Sequence, residues 1–285
     1  MQLISVLEEF LMERDLASIT ESQYRISIRD FSEYLGRDAV VDDLDYQQVN
    51  AWLKSLKERL APVTISNRKK GITVIWNHLS QSGRVPDLNS RRMYTPKVKP
   101  KPVVSWTLSD FGLLIEAASK VEGSFDGISL SAMMGAWLWV GLDSAFRPSD
   151  MRELEWKSID TKGKCITITQ HKTSVVHRAC LSDQAVESLN AIKDPKRRLV
   201  FPMGRDQIRV PLKRLYKIAS NLGFTKISGR SIGTLRRLHA TLQYEDFGAS
   251  VAAESLGHVG GTRTVLRSYV DHRSRKQGRL PRHEK

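Results

Sequence analysis

Two cysteines, Cys165 and Cys180, are all that 285 residues contain, too few for a disulfide framework and in keeping with a reducing, intracellular setting. No apolar run approaches the ~20 residues that a membrane-spanning helix requires, and the segment after Met1 lacks the pattern of a secretory leader. Missing too are a Walker-type glycine loop, a zinc-ligand cluster and a His-Glu-x-x-His pattern. The carboxylates Asp42, Asp43 and Asp45 crowd an expected helix start, where they favour the helix dipole and need no metal. No metal, nucleotide or other cofactor is therefore expected. Acidic residues are in short supply: 31 Asp+Glu face 45 Lys+Arg, leaving +14 and a pI near 9.9. Such an excess suits a polyanionic partner, foremost nucleic acid, with an anionic membrane surface as the weaker option in the absence of any spanning segment. With 40% hydrophobic and 27% charged residues and no low-complexity tract, the chain is expected to fold, and its length allows two domains.

Residues 1–88 read as a helical domain. Leu3, Val6, Leu7, Phe10 and Leu11 repeat at helical spacing. Thr20 with Gln23 has the form of a capping box, and Ile26, Phe31, Tyr34 and Leu35 continue an apolar face to Gly36. Val49, Trp52, Leu53 and Leu56 supply the buried side of a third helix. Pro62 opens a fourth, with Ile65, Ile72, Ile75, Trp76 and Leu79 as its core face. Asn67, Arg68, Lys69 and Lys70 on that helix are either a solvated basic face or a phosphate contact. Residues 89–104 read as an extended linker rich in proline and positive charge, with Arg91, Arg92, Lys97, Lys99 and Lys101 able to follow a phosphate backbone.

Residues 105–285 form the second expected domain, mainly α with a small antiparallel β-sheet. Thr107 and Asp110 make a capping pair. A strongly apolar central helix runs from Ile128 to Val140 and is expected to end at Gly141, and Arg147-Pro148-Ser149-Asp150 begins the next. After Ile159 the period changes to that of a strand. Cys165, Thr167 and Thr169 alternate with Ile166 and Ile168, and His171-Lys172-Thr173 turns the chain into a return strand through Val175, Val176 and Ala179. Helices resume near Val210.

Arg147 after the central helix, Lys172 at the hairpin tip, Leu235-Arg236-Arg237, Leu256-Gly257-His258 and a downstream Tyr269 together resemble, in order and spacing, the tyrosine recombinases or phage-type integrases. The resemblance covers nearly the whole chain, a helical core-binding domain followed by a catalytic domain. It implies strand cleavage by a phenol, forming a 3'-phosphotyrosyl link and releasing a 5'-hydroxyl, with neither metal nor ATP. Tyr269 would be the nucleophile, Arg147 and Arg236 the clamp on the non-bridging oxygens, Lys172 the acid for the leaving oxygen, and His258 a second phosphate contact or aid to Tyr269. The partners it implies are double-stranded DNA, further copies of the chain up to a tetramer, and accessory directionality factors. The setting it implies is the cytoplasm of a bacterial, archaeal or virus-infected cell, at the nucleoid, in the service of a mobile genetic element.

Two departures from the family pattern stand out. Gly233 occupies the position, three before Arg236, that normally carries a histidine, and so offers no side chain to a proton or phosphate oxygen. His239 on the same helix is expected to face core or solvent rather than replace it. The Gly260-Gly261 pair lengthens the stretch before Tyr269 and suggests a mobile loop. Beyond Tyr269 a basic tail is expected, either disordered or packed on a neighbouring protomer. A type IB topoisomerase-like nicking-closing enzyme and a catalytically silent DNA-binding relative are the alternatives, the second kept open by Gly233.

Overall fold

Several helix starts fall where a side chain or proline answers for the first free backbone N–H groups, as at Asp45, Pro62, Thr107 and Ser182. The computed structural model describes residues 1–99, 101–171, 173–225, 232–257 and 261–274. The chain divides into two compact units, Met1–Pro100 and Lys101–Lys285.

The first unit holds α1 (Leu3–Met12), α2 (Ser18–Leu35), α3 (Tyr46–Ser55) and α4 (Pro62–Gln81). Asp45 caps α3 by accepting from the N–H groups of Gln47 and Gln48, and Pro62 takes the first position of α4. Trp52, Phe31, Leu53, Ile65, Ile72, Ile75 and Leu79 are fully buried and Trp76 nearly so, each such side chain contributing roughly 1.5–3 kcal/mol in lost apolar surface. The capping box expected at Thr20 does not form. Helix α2 starts at Ser18 after Ala17, and the Thr20 N–H donates to the Ala17 carbonyl. Ile28 takes the inward place expected of Ile26, while Tyr34 stays exposed.

The basic run on α4 divides. Arg68 donates through Nε to the buried Asp30 at 2.7 Å, where Arg59 also donates at 2.6 Å. Lys69 Nζ reaches Thr95 Oγ1 at 2.6 Å as well as the Ser90 and Met93 carbonyls, and burial pushes its pKa down. Asn67 is half-buried and only Lys70 stands fully in solvent. The strap expected to run extended from Arg91 instead opens with a 3₁₀ turn, Ser90–Arg92, capped by Asn89. Met93 is buried in the first unit's core, and Asn50 holds both the Arg92 carbonyl and the Tyr94 N–H. Two backbone bonds and one buried side chain thus fix a segment whose composition reads as free. Arg91, Arg92, Lys97, Lys99 and Lys101 are exposed, and the Arg92 guanidinium lies 4.2 Å from the Tyr46 ring centroid.

The second unit begins with α5 (Leu108–Ser119), where Thr107 and Asp110 form the capping box. A two-residue hairpin, β1 (Ser124–Phe125) and β2 (Ile128–Ser129), leads into α6 (Leu130–Ser144). Gly141 does not end α6. It lies inside the helix, where an added Cβ would meet Leu235 Cδ1 at 2.8 Å, so the glycine serves close packing. The helix ends at Ala145, whose φ of 52° is costly for a residue with a side chain, by about 1–2 kcal/mol. Next come α7 (Pro148–Arg152), then β3 (Ile159–Asp160), β4 (Cys165–Thr169) and β5 (Val176–Cys180), antiparallel in that order. Register pairs Ile166 with Ala179 and Ile168 with His177 on the core face. Cys165 and Cys180, both free thiols, stand opposite each other on the other face.

Five helices complete the described part of the unit: α8 (Asp183–Ala191), α9 (Arg209–Asn221), α10 (Leu235–Phe247), α11 (Ala249–Ser255) and α12 (Gly261–Ser268). Most of them pack around α6 in one large core, to which Trp137, Phe201, Leu189, Leu215 and Leu238 contribute. A smaller cluster of Ala145, Ala240, Ala252, Ala253, Leu256, Val265 and Val270 seats α10, α11 and α12 together, with Tyr269 against its edge. Residues just past Tyr269 are not loose, as the basic composition had implied. Val270 and Asp271 are buried, and the His272 N–H donates to the Val103 carbonyl at 3.0 Å. The remainder of the tail, residues 275–285, lies outside the described residues.

Candidate active site

Arg147 leaves the end of α6 through the left-handed turn at Ala145 and stands immediately before α7. Its backbone N–H donates to Asp150 Oδ2 at 3.3 Å, while Asp150 Oδ1 accepts the His171 N–H at 3.2 Å. The guanidinium reaches past Asp150, at 3.9 Å, to donate to Gln170 Oε1 at 2.7 Å. A simple ion pair with Asp150 is thus the weaker of its two contacts.

Arg236 rises from the first turn of α10 and is 3% exposed. Its Nη1 donates to the Ala145 carbonyl at 2.6 Å and its Nη2 to the Leu256 carbonyl at 2.9 Å. Nε is buried with no hydrogen-bond partner among the described residues. Burial pushes the guanidinium below its ordinary pKa, the Tyr269 phenol acts upward, and Arg147 acts downward. An arginine remains charged through such a shift. The Tyr269 ring centroid lies 5.1 Å from the Arg236 guanidinium carbon, a cation–π arrangement. Tyr269 follows α12 directly, with its N–H donating to the Val265 carbonyl at 2.8 Å, and its side chain is half-buried.

Beneath this pair lie groups that nothing in the sequence singled out. Gln170, fully buried, joins Arg147 to the hairpin and to Leu256. His177, 5% exposed, sits against Phe146 at 5.6 Å between ring centroids. Burial first, and then the Arg236 charge, hold its pKa down, so it is neutral at pH 7. The alternation of β5 marks His177 as inward, but its placement under the arginines depends on how α10 and α11 pack. Of the two orientations left open for His239, core or solvent, it takes the core: Nδ1 meets the Leu142 carbonyl at 2.8 Å, and burial brings its pKa to about 4. It does not stand in for the missing side chain at Gly233, which lies in a 3₁₀ turn, Ile232–Thr234, just ahead of α10.

Of the five residues singled out as catalytic, Arg147 and Arg236 converge here through the Ala145, Gln170 and Leu256 contacts, and Tyr269 joins them through its ring against Arg236. Lys172 and His258 lie outside the described residues, as does Gly260 of the glycine pair, while Gly261 is the first residue of α12. Gly257 ends α11 at φ 56°, in the role expected of a glycine at that place. Among the described residues, no group of three or more His, Cys, Asp or Glu side chains converges as a metal site, and no helix is long and apolar enough to cross a membrane.

The fold is similar to that of a lambda integrase dimer bound to a COC' core site, with 17% identity over 98% of this chain and 99% of that one and a TM-score of 0.74. It is also similar to a Tn1549 transposon integrase in complex with a circular intermediate DNA, with 14% identity over 95% and 96% of the two chains and a TM-score of 0.71. A lambda integrase tetramer bound to a Holliday junction matches with 17% identity over 90% of this chain and 77% of that one and a TM-score of 0.69. At these identities the likeness is one of fold. No curated protein sequence matches the chain significantly. The model of the phage integrase family matches residues 113–275, more than half of the chain, from within α5 to past Tyr269. With the family's model across that span and its fold throughout, the chain belongs to the phage integrase family, the tyrosine recombinases.

Proposed function

We propose that the protein is a site-specific DNA recombinase that cuts and rejoins DNA strands through a 3'-phosphotyrosyl intermediate on Tyr269. The observation that carries this reading is the ring of Tyr269, its centroid 5.1 Å from the buried Arg236 guanidinium carbon of the same chain, with Arg147 tied into the same hydrogen-bonded cluster. A nucleophile and two permanent cations in one place suit attack on a phosphodiester. The Tyr269 phenol loses its proton to solvent as its oxygen bonds to phosphorus, the bond from phosphorus to the 5'-oxygen breaks, and the departing oxygen takes a proton. Lys172 is the residue proposed to supply that proton, and His258 to contact the phosphate or assist Tyr269. Arg147 and Arg236 hold the non-bridging oxygens, where fork-shaped guanidinium groups fit the charge that builds up. The phosphotyrosyl link conserves the energy of the cut bond, so a 5'-hydroxyl from another strand reverses the step.

Double-stranded DNA is the proposed partner, contacted by exposed basic residues including Lys70, Arg91, Lys97, Lys99 and Lys101, and a net charge of +14 makes the affinity fall steeply with salt. The integrase structures that share the fold hold DNA as dimers and as a tetramer, which supports assembly of this chain on its DNA. Mobilisation of a genetic element at the nucleoid, with directionality factors, completes the reading.

Incubation with a nicked suicide duplex tests it. An SDS-resistant protein–DNA adduct is expected, and it is lost in Tyr269→Phe. Gly233 favours one other reading, a DNA-binding relative that does not cut. Tight binding with no adduct on any suitable duplex would establish that reading and refute the first.

A further inference from the structure

One neutral side chain joins the two arginines of the site. Arg147 Nη1 donates to Gln170 Oε1 at 2.7 Å, and Gln170 Nε2 donates to the Leu256 carbonyl at 3.1 Å. The same carbonyl accepts Arg236 Nη2 at 2.9 Å. The path closes on itself, because Arg236 Nη1 holds the Ala145 carbonyl, two residues before Arg147. Gln170 is fully buried directly after β4, and its backbone closes the β4–β5 hairpin. Its N–H donates to the Val175 carbonyl at 2.8 Å and its carbonyl accepts the Ser174 N–H at 2.9 Å. Thr173 Oγ1 adds a second donor to Oε1 at 3.1 Å.

The chemistry of position 170 is narrow. A carboxylate there could accept from Arg147 but has no proton for the Leu256 carbonyl, and it would cancel a charge intended for phosphate. A lysine or arginine could donate to Leu256 but would repel Arg147. An apolar side chain would leave the ends of both arginines without a common tether. A neutral amide accepts from one and donates toward the other with no change of charge. The neighbouring backbone is shaped to match. Gly257 runs so close that an added Cβ would meet Gln170 Nε2 at 3.0 Å and His177 Nδ1 at 2.8 Å. Only a residue without a side chain lets the end of α11 lie on the amide.

We propose that Gln170 is a positioning residue that fixes Arg147 and, through the Leu256 carbonyl, Arg236 in one geometry before any phosphate arrives. This rests on the recombinase reading of the site. Gln170 touches no reacting atom; its effect is on the orientation of the groups that do. It also ties the β4–β5 hairpin to the end of α11 through the Leu256 carbonyl.

Gln170→Met keeps the length of the side chain and removes its hydrogen bonds. Single-turnover cleavage of a nicked suicide duplex should fall roughly 10- to 100-fold, as when a residue orienting a reactive group is lost. The Kd for uncleaved duplex should stay within about twofold, because phosphate contacts elsewhere dominate affinity. Thr173→Val removes a single donor from Oε1 and should slow cleavage roughly threefold, which keeps the test open if the methionine variant does not fold. A second readout does not depend on cleavage. The Arg147 guanidinium ¹⁵N signals, assigned by their loss in Arg147→Lys, should be distinct in the unaltered protein and merge with those of solvent-exposed arginines in Gln170→Met. Cleavage by a folded Gln170→Met within threefold of the unaltered protein, or unchanged Arg147 signals, overturns the proposal. An unaltered protein that forms no adduct refutes the recombinase reading instead, and the guanidinium signals then decide the role of Gln170 by themselves.

Discussion

Asp271 should be the strongest electrostatic fastening of the segment that carries Tyr269, and its removal should be measurable as a pH-dependent loss of stability. Its side chain is 3% exposed. Oδ2 accepts the Ser105 N–H at 2.7 Å and Arg273 Nη2 at 2.8 Å, while Oδ1 accepts the Arg273 N–H at 2.9 Å and Nε at 3.1 Å. Burial alone would push the carboxyl up, but the bonds from Arg273 and Ser105 outweigh it and hold the pKa at about 2, against an ordinary 3.8. That difference corresponds to about 2.4 kcal/mol at 1.36 kcal/mol per unit, and solvent around the half-exposed Arg273 reduces it to about 1–2 kcal/mol. The sign follows from a depressed acid. The contribution is complete above pH ~4 and is lost as pH falls toward the folded value near 2. Asp271→Asn should therefore be less stable than the unaltered protein by about 1–2 kcal/mol at pH 7 in urea denaturation followed by tryptophan fluorescence. The gap should narrow from pH 4 downward and be nearly closed at pH 2. Equal stability at pH 7, or a deficit of constant size down to pH 2, would refute the reasoning. In the proposed reaction the variant should also cut more slowly while binding DNA normally, because Tyr269 lies two residues upstream.

Gly257→Ala introduces a Cβ at φ 56° against Gln170 and His177 and should cost roughly 2–4 kcal/mol, read as a lower urea midpoint. His239, held neutral with a pKa of about 4 by burial, favours the folded state above its ordinary 6.5, and that contribution is lost as pH falls toward 4. His239→Met should flatten the stability profile across that interval by up to about 3 kcal/mol, and an identical slope in the two proteins would exclude the assignment. Arg68→Ala leaves the buried Asp30 with Arg59 alone and should destabilise the chain by roughly 2–4 kcal/mol, whereas the solvated Lys70→Ala should stay within about 0.5 kcal/mol in the same thermal melts.

Periodicity carried much of the helical architecture. Ile65, Ile72, Ile75, Trp76 and Leu79 are buried at the spacing their order implies, and Thr107, Asp45 and Pro62 mark helix starts by local chemistry alone. Misreadings came where tertiary contacts overrode a local signal. Gly141 looked like a helix end because glycine usually is one, yet Leu235 needs its missing side chain. Arg91–Tyr94 looked like linker from composition, but Asn50 supplies hydrogen bonds from another helix that no local pattern announces. Helix α8 drew no notice, although Ser182 caps it and itself bonds to Asp143 at 2.6 Å from α6. In the site, Arg147, Arg236 and Tyr269 could be picked out by order and spacing. Gln170, Ala145 and the Leu256 carbonyl could not, because a backbone carbonyl leaves no trace in sequence and a glutamine at the end of a strand has no distinguishing pattern.

The way the two arginines are satisfied is itself an argument about charge. Arg236 is buried, yet among the described residues its hydrogen bonds go to the carbonyls of Ala145 and Leu256 and to the Tyr269 phenol, and none to a carboxylate. Arg147 takes the neutral Gln170 oxygen at 2.7 Å, and Asp150, at 3.9 Å, spends its oxygens on backbone N–H groups instead. Burying a guanidinium without a counter-ion costs several kcal/mol, and a carboxylate partner would relieve that cost. In the proposed reaction it would also cancel the field at the point where the phosphoryl group gains negative charge. Neutral acceptors orient the cations, with Asp150 at 3.9 Å offsetting their charge only in part, and the buried Nε of Arg236 has no hydrogen-bond partner among the described residues. In the proposed reaction an arriving phosphate would add the stronger counter-ion, so that the cost of burial would be recovered on binding and most fully when the bound anion carries its greatest charge.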